Sequence, residues 1–132
     1  MPQLQNLVLT DRAATPVAHT FVPRSIEGGV ASVVESSGIP IGDNRVTIST
    51  TRTAAGRYKV SLKYTFPTVV NETINGISTP KIVRSAYVDL TFSFDQTSTE
   101  AERNNIVGMV ASSLEPAKVL VNDTVVKLQG VY

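Results

Sequence analysis

The side chains best suited to do chemistry form a basic, hydroxyl-rich series between Arg45 and Phe66 of this 132-residue chain. On either side of a short turn, every second residue is a cation or carries a hydroxyl group, and no carboxylate interrupts them. The members of the series are Arg45, Thr47, Ser49, Thr51, Arg57, Lys59, Ser61, Lys63 and Thr65. Cations and hydroxyl groups both contact phosphate oxygens, so the series is suited to bind a polyanion.

The residues between these polar positions are apolar, and they predict how the series is displayed. Val46 and Ile48 alternate with the first group, and every second residue of the stretch 58–66 is apolar or aromatic. Such strict alternation predicts two strands with one wet and one buried face. Residues 53–56 suit a hairpin loop in which Gly56 supplies a positive φ. The stretch is therefore predicted to be an antiparallel hairpin with a basic face.

The net charge of +1 hides an uneven distribution along the chain. Between Asn44 and Val88 there are seven basic residues and one acid, whereas the rest of the chain has five basic and ten acidic residues. Phosphate contacts supply most of the sequence-independent affinity for nucleic acid, which is therefore the first partner to consider. The alternative is a solvated sheet face, on which Lys and Thr are common.

The stretch 82–94 repeats the alternation and is predicted to join the same sheet. Its polar face holds Ser85, Tyr87, Asp89, Thr91 and Ser93. Tyr87 stands among cations and hydroxyl groups, where its ring is suited to stack on an unpaired RNA base. Asp89 either accepts a hydrogen bond from a base edge or pairs with Lys63 or Arg45.

Turn residues and alternation predict the remaining strands. We expect an N-terminal hairpin from residues 4–9 and 17–22, closed by Pro23, then a strand at 30–35 and a loop at 36–44. Pro67 is expected to end the second basic strand. Asn75-Gly76, at the centre of residues 71–79, marks a turn where two arms meet.

Sequence signals of an α-helix begin near Thr99. Thr99 with Glu102 three residues later is a capping-box signature, and Pro116 stops the apolar helical pattern that follows. A second short helix is predicted at residues 117–127. The predicted fold is therefore α+β, in a single domain of residues 1–132. Two short helices are too small to cover the apolar face of one broad sheet. We therefore expect a homodimer, in which the helices of a second copy complete the cover.

Several classes of function are excluded by what the sequence lacks. There is no Cys, and His19 is the only His, with no acid next to it in sequence. We interpret His19 as a plain surface or loop residue, and we expect no metal site, no cofactor and no enzyme activity. No apolar run approaches a membrane span, and no signal peptide is present, so we expect synthesis in the cytoplasm and no membrane partner.

Four segments together resemble the coat proteins of the small single-stranded RNA bacteriophages, the leviviruses. The segments are RYKVSLKYTFP, RSAYVDLTFSF, STEAER and the ending LQGVY. The resemblance implies an N-terminal β-hairpin, a five-stranded antiparallel sheet and two C-terminal helices that cover the sheet of a dimer mate, giving an intertwined dimer with a continuous sheet. It also implies assembly in the host cytoplasm into an icosahedral virion, and binding of one genomic RNA hairpin that represses replicase translation.

The resemblance also implies roles for individual residues. Tyr87 would stack on a loop base, and adenine pockets would involve Val30, Thr47, Ser61 and Lys63. Other RNA contacts would come from Arg45, Ser49, Lys59 and Asp89, and residues 71–79 would surround the symmetry axes of the shell. The chain departs from some relatives at Thr51, Ala54 and Thr91, and it has no Cys to cross-link the axis loop. The runner-up function is a cellular RNA-binding β-sheet module that forms no shell.

Overall fold

The protein is described from a computed structural model, which covers residues 2–36, 38 and 40–132. Six strands precede two helices along the chain, so the α+β prediction is confirmed. The strands are β1 (Leu7–Thr10), β2 (Ala18–Glu27), β3 (Val30–Glu35), β4 (Asn44–Arg52), β5 (Tyr58–Ile74) and β6 (Ile77–Phe94). The helices are α1 (Glu100–Ser113) and α2 (Val119–Val125). The chain divides into two compact units, one ending at Ser93 and the other formed by Phe94–Tyr132.

The strands form one six-stranded sheet in the order β1-β2-β3-β4-β5-β6. The expected division into an N-terminal hairpin and a separate five-stranded sheet differs from this arrangement. β2 is ten residues long, and its first part pairs with β1 while its second part pairs with β3. Because β2 belongs to both pairings, the hairpin is continuous with the rest of the sheet.

Two prolines that were expected to end strands lie inside them instead. β2 continues beyond Pro23 to Glu27, and β5 continues beyond Pro67 to Ile74. β4 begins at Asn44, and its second residue, Arg45, pairs with Thr65 of β5. Because the strands are antiparallel, Pro67 lies beyond the first residue of β4 and has no pairing partner on that strand. A proline there costs no hydrogen bond to β4, which is why the strand tolerates it.

The Asn75-Gly76 turn is confirmed, and it joins β5 to β6 directly. Asn75 has a φ of 51° and Gly76 a φ of 78°. Two successive positive φ values are the requirement of the tight hairpin turn that matches the twist of the flanking strands. The predicted loop at residues 36–44 contains a short 3-10 turn at Pro40–Gly42, while Ser37 and Ile39 lie outside the described residues.

The core lies on one side of the sheet. Phe21, Val33 and Val46 are almost fully buried there. Half-buried neighbours pack against them, namely Leu4, Leu7, Leu9, Ile48, Tyr64 and Phe66. Val33 pairs with Val46, which pairs with Tyr64, so one layer of apolar side chains crosses three strands. We call this side the apolar face, and the side that carries Thr47 and Lys63 the polar face.

The helical unit begins at the predicted cap. Thr99 Oγ1 accepts a hydrogen bond from the backbone N–H of Glu102 at 3.2 Å, which satisfies one free donor of the first turn of α1. Glu100 and Glu102 lie in that turn, where the helix dipole favours negative charge. Neither helix has a buried residue. Their apolar side chains are exposed, as Met109 and Leu120 show at 65% and 68%.

Candidate nucleic-acid interface

The register of β3, β4 and β5 brings seven of the predicted RNA-binding residues together on the polar face. Val30 pairs with Ser49, which pairs with Ser61. The next row joins Thr47 to Lys63, and further rows place Arg45 opposite Thr65 and Lys59 opposite Thr51. Residues directly opposite on one face are the closest cross-strand neighbours of a sheet, so these side chains form a continuous surface.

β6 lies next to β5 and carries the other two predicted residues, Tyr87 and Asp89. The Tyr87 side chain is 76% exposed, although aromatic rings are usually much better covered. Asp89 contacts the hydroxyl of Thr91 at 3.5 Å, and the described structure gives it no ion pair with Lys63 or Arg45. Its predicted pairing with those cations is therefore not the arrangement found.

A hydrogen bond joins Arg57, the residue before β5, to Ser93 near the end of β6. The Arg57 guanidinium donates to Ser93 Oγ at 3.0 Å and to the Ser93 carbonyl at 3.3 Å. Arg57 shares the parity of Lys59 and Lys63, and Ser93 shares the parity of Tyr87 and Asp89. This contact agrees with the predicted alternation, which places Tyr87 on the same face as Lys59 and Lys63.

The cations of this surface are available to a ligand. Arg45, Lys59 and Lys63 are exposed. In the part of the chain that the structure describes, none of these three cations forms an ion pair. Exposed cations that form no ion pair of their own attract polyanions.

Sequence reasoning missed part of the polar face. A concavity on it is lined by Arg24, Ser25, Glu27, Val30, Ser32, Arg45 and Thr47. Arg24 and Glu27 were not among the predicted contacts, because the strand that carries them was expected to end at Pro23. The signal that could have found them was the alternation that resumes after that proline, with Ser25 and Glu27 on either side of Ile26.

His19 corrects a second expectation, because it is not a plain surface or loop residue. Its Nε2 lies 2.7 Å from Asp11 Oδ2, and its Nδ1 lies 2.7 Å from Glu35 Oε2. Asn44 donates to the other oxygen of Glu35 at 2.8 Å. The acids come from residues 8 and 16 positions away, so the sheet creates contacts that neighbours in sequence do not reveal.

Both ring nitrogens of His19 face carboxylate oxygens, and a carboxylate can only accept. The geometry therefore requires two N–H donors, that is, the imidazolium cation. The hydrogen bond that His19 donates to Asp11, and then the one it donates to Glu35, raises the pKa of His19 above its usual range. The same bond lowers the pKa of Asp11 to about 2, with help from the backbone N–H groups of Val17 and Ala13.

The described residues show neither a metal centre nor a membrane helix. No group of three or more acidic or His side chains among them is arranged to hold a metal ion. None of the helices in the described ranges is long and apolar enough to cross a membrane.

Comparison with known proteins decides what kind of protein carries this surface. The family model for the levivirus coat protein matches residues 2–132. The chain belongs to the levivirus coat protein family. The family resemblance carried by the sequence is thus confirmed over the length of the chain.

Individual relatives agree with this assignment. The capsid protein of Pseudomonas phage PRR1 is 57% identical over 130 residues, covering 98% of this chain and 99% of the relative. The capsid protein of Escherichia virus Qbeta is 35% identical over 130 residues, covering 97% of this chain and 87% of the relative. Among solved structures, the virus-like particle of bacteriophage NT-214 superposes with a TM-score of 0.85 at 25% identity, covering 99% of this chain and 100% of that one.

The coat protein is therefore a structural protein of a virion shell and not an enzyme. This assignment agrees with the absence of a catalytic set in the sequence.

Proposed function

We propose that this coat protein assembles as dimers into an icosahedral shell around single-stranded RNA. We further propose that its polar face binds a stem-loop operator in the genomic RNA and thereby represses translation of the replicase. The observation that carries the RNA proposal is the exposed side chain of Tyr87 beside Arg45, Lys59 and Lys63, three exposed cations that form no ion pair with the residues the structure describes.

The register supports a pocket for an unpaired base. Val30 and Ser61 flank Ser49 in one row, and Thr47 and Lys63 pair in the adjacent row. An apolar contact, three hydroxyl groups and a cation therefore lie within two neighbouring rows of the sheet. This combination can pack against a base, hydrogen-bond its edge and contact its phosphate.

The remaining predicted residues extend this surface. Tyr87 supplies a stacking ring on β6, and Asp89 supplies an acceptor for the amino group of a base. Arg45 and Lys59 lie toward the two ends of the β4–β5 pairing, where they can follow the RNA backbone beyond the pocket. Ser49 lies between the two predicted pocket residues Val30 and Ser61.

Dimer formation is supported by apolar side chains that the single chain leaves uncovered. On β6, Val88 is 42% exposed although its position alternates with the polar residues Tyr87 and Asp89. On the helices, Val107, Val119 and Leu120 are 46%, 63% and 68% exposed. Exposed apolar side chains in such number are suited to protein–protein interfaces. A second copy supplies apolar side chains of the same kind, because each copy exposes them on β6 and on both helices.

The β5–β6 tip is proposed to contact its symmetry mates in the shell. Ile74 and Ile77 flank the Asn75-Gly76 turn and are 60% and 68% exposed. Apolar side chains at a hairpin tip are suited to contacts between copies around a symmetry axis, which is the place proposed for residues 71–79.

Two experiments test this function. Negative-stain microscopy of the purified protein is expected to show uniform hollow particles, and a protein that binds RNA without forming particles would favour a cellular RNA-binding module. Selection of RNA hairpins against the purified protein is expected to enrich one stem-loop with unpaired purines. Recovery of no preferred hairpin would contradict the operator role and leave the shell role in place.

A further inference from the structure

Arg24 occupies a β-bulge that changes which residues face the RNA side of the sheet. Pro23 pairs with Val33 and Ser25 pairs with Ser32. Two steps along β2 therefore match one step along β3, and Arg24 is the additional residue. Without the bulge, Ser25 would lie on the same face as Pro23, because side chains alternate along a strand.

The bulge moves the second part of β2 into line with the polar face. Ser25 pairs with Ser32 and Glu27 pairs with Val30, while Ile26 pairs with Ala31 on the opposite side. Arg24 and Ser25 consequently line the same concavity as Val30 and Thr47. Bulges of this type commonly re-aim a side chain next to a functional site.

Charge adds a second, independent observation. Arg24 and Arg45 line the concavity with one acid, Glu27, so the lining has a net positive charge beside the residues proposed to hold a base. Arg24 is exposed, and the ion pairs within the described chain do not include it. Guanidinium groups present planar sets of donors that suit phosphate oxygens, and they hold their charge at all relevant pH values.

We propose that Arg24 contacts a backbone phosphate of the bound RNA, so that the RNA-binding surface extends across β3 onto the bulged part of β2. The inference rests on the proposed RNA-binding function and deepens it. It adds a positioning contact to a strand to which neither the family resemblance nor the charge pattern had assigned one.

The test measures RNA affinity as a function of salt. The probe is a fluorescently labelled RNA hairpin obtained by selection against the wild-type protein, and the variant is Arg24→Gln. Loss of one phosphate contact is expected to reduce the slope of log affinity against log salt by about 0.7–1. Between 50 and 200 mM salt, the advantage of the wild type over the variant then shrinks about three- to fourfold.

Matched variants make the result specific. Arg12→Gln removes the same charge from the turn after β1, at the far end of the β1–β2 pairing from the bulge, and it is expected to leave the slope unchanged. Arg24→Lys keeps the positive charge and is expected to restore most of the slope. Microscopy of each variant should show particles like those of the wild type, because Arg24 is exposed.

Other outcomes would overturn the inference in distinguishable ways. A wild-type slope for Arg24→Gln, while Tyr87→Ala weakens binding, would remove Arg24 from the site but leave the RNA function standing. Equal slope reductions in Arg24→Gln and Arg12→Gln would show a general charge effect and not a phosphate contact. If neither Arg24→Gln nor Tyr87→Ala changed binding, the polar face would not be the RNA site, and the proposed function would fail as well.

Discussion

At the scale of single residues, Tyr87 is the clearest case of a side chain whose position stability alone does not explain. Its ring is 76% exposed, so it gains little from the hydrophobic effect, and its strand has apolar residues for the opposite face. An exposed ring on a strand next to one that carries Lys59 and Lys63 is available to stack on a base.

Replacing Tyr87 by Ala is expected to weaken binding of the selected RNA hairpin by about 1–3 kcal/mol, because one base loses its stacking partner. Particles should remain intact, since the side chain contributes little to packing. Tyr87→Phe keeps the ring and should retain most of the affinity. Equal affinities for the wild type and Tyr87→Ala, measured by filter binding, would remove the stacking role.

His19 gives a pH prediction whose sign follows from its environment. Its pKa in the folded protein is raised by Asp11 and Glu35. The stabilisation is therefore fully present below the pKa of the unfolded chain and is lost as the pH rises through the folded value. The pKa of Asp11 is lowered to about 2, so its contribution is present above its ordinary pKa and is lost only as the pH falls toward 2.

We expect the free energy of unfolding to decline on the alkaline side of the ordinary His range, and His19→Gln to flatten that part of the profile. Because the chain has one His, its imidazole resonance in NMR spectra reports the folded pKa directly. A titration at or below the ordinary value, or an identical alkaline decline in His19→Gln, would contradict the double ion pair.

At the scale of elements, local chemistry predicted what depends on neighbours in sequence. The strand Val30–Glu35 has the predicted bounds, and the Asn75-Gly76 turn and the Thr99 cap lie where their motifs indicated. The predicted ends of β2 and β5 were wrong. A strand can continue through a proline where no neighbouring strand needs its missing N–H group, and the sequence does not show which strand lies opposite.

Contacts that need the sheet register could not be predicted for the same reason. The Asp11–His19–Glu35 cluster joins the ends of three chain segments, and the bulge at Arg24 decides the face of every later residue of β2. For the candidate site, alternation placed the predicted residues on one face, but the concavity that includes Arg24 emerged only from the pairing of β2 with β3.

Removing the cap of α1 tests this element. Thr99→Ala is expected to lower the free energy of unfolding by about 1 kcal/mol, because the N–H of Glu102 loses its acceptor. Thr99→Ser keeps the hydroxyl group and should retain most of the stability. Denaturant titration of the wild type and the two variants measures their free energies of unfolding. A Thr99→Ala protein as stable as the wild type would show that the cap contributes nothing to stability.

At the scale of the whole molecule, we expect a second copy of the chain to bury the exposed apolar side chains of the helices. Val107→Asp in α1 changes a residue that is 46% exposed in the single chain. If the chain acted alone, such a surface change would alter stability by only about 0.5 kcal/mol. If a second copy buries Val107, an unpaired charge at the interface costs several kcal/mol, about 3–5 for a buried unpaired group.

We therefore expect Val107→Asp to lose dimers and particles in size-exclusion chromatography with light scattering. Asn104→Asp adds the same charge at a polar position of the same helix and should leave assembly unchanged. A Val107→Asp protein that still forms dimers would place this part of α1 outside the interface.

The most direct test of the central claim is a cryo-electron microscopy reconstruction of particles assembled with the selected RNA hairpin. We expect RNA density in the lumen against Tyr87 and Lys63, with α1 and α2 of each copy lying over the apolar face of another copy. A polar face directed outward without RNA, or helices that cover the sheet of their own chain, would contradict the claim that this sheet binds RNA on one side and a second subunit on the other.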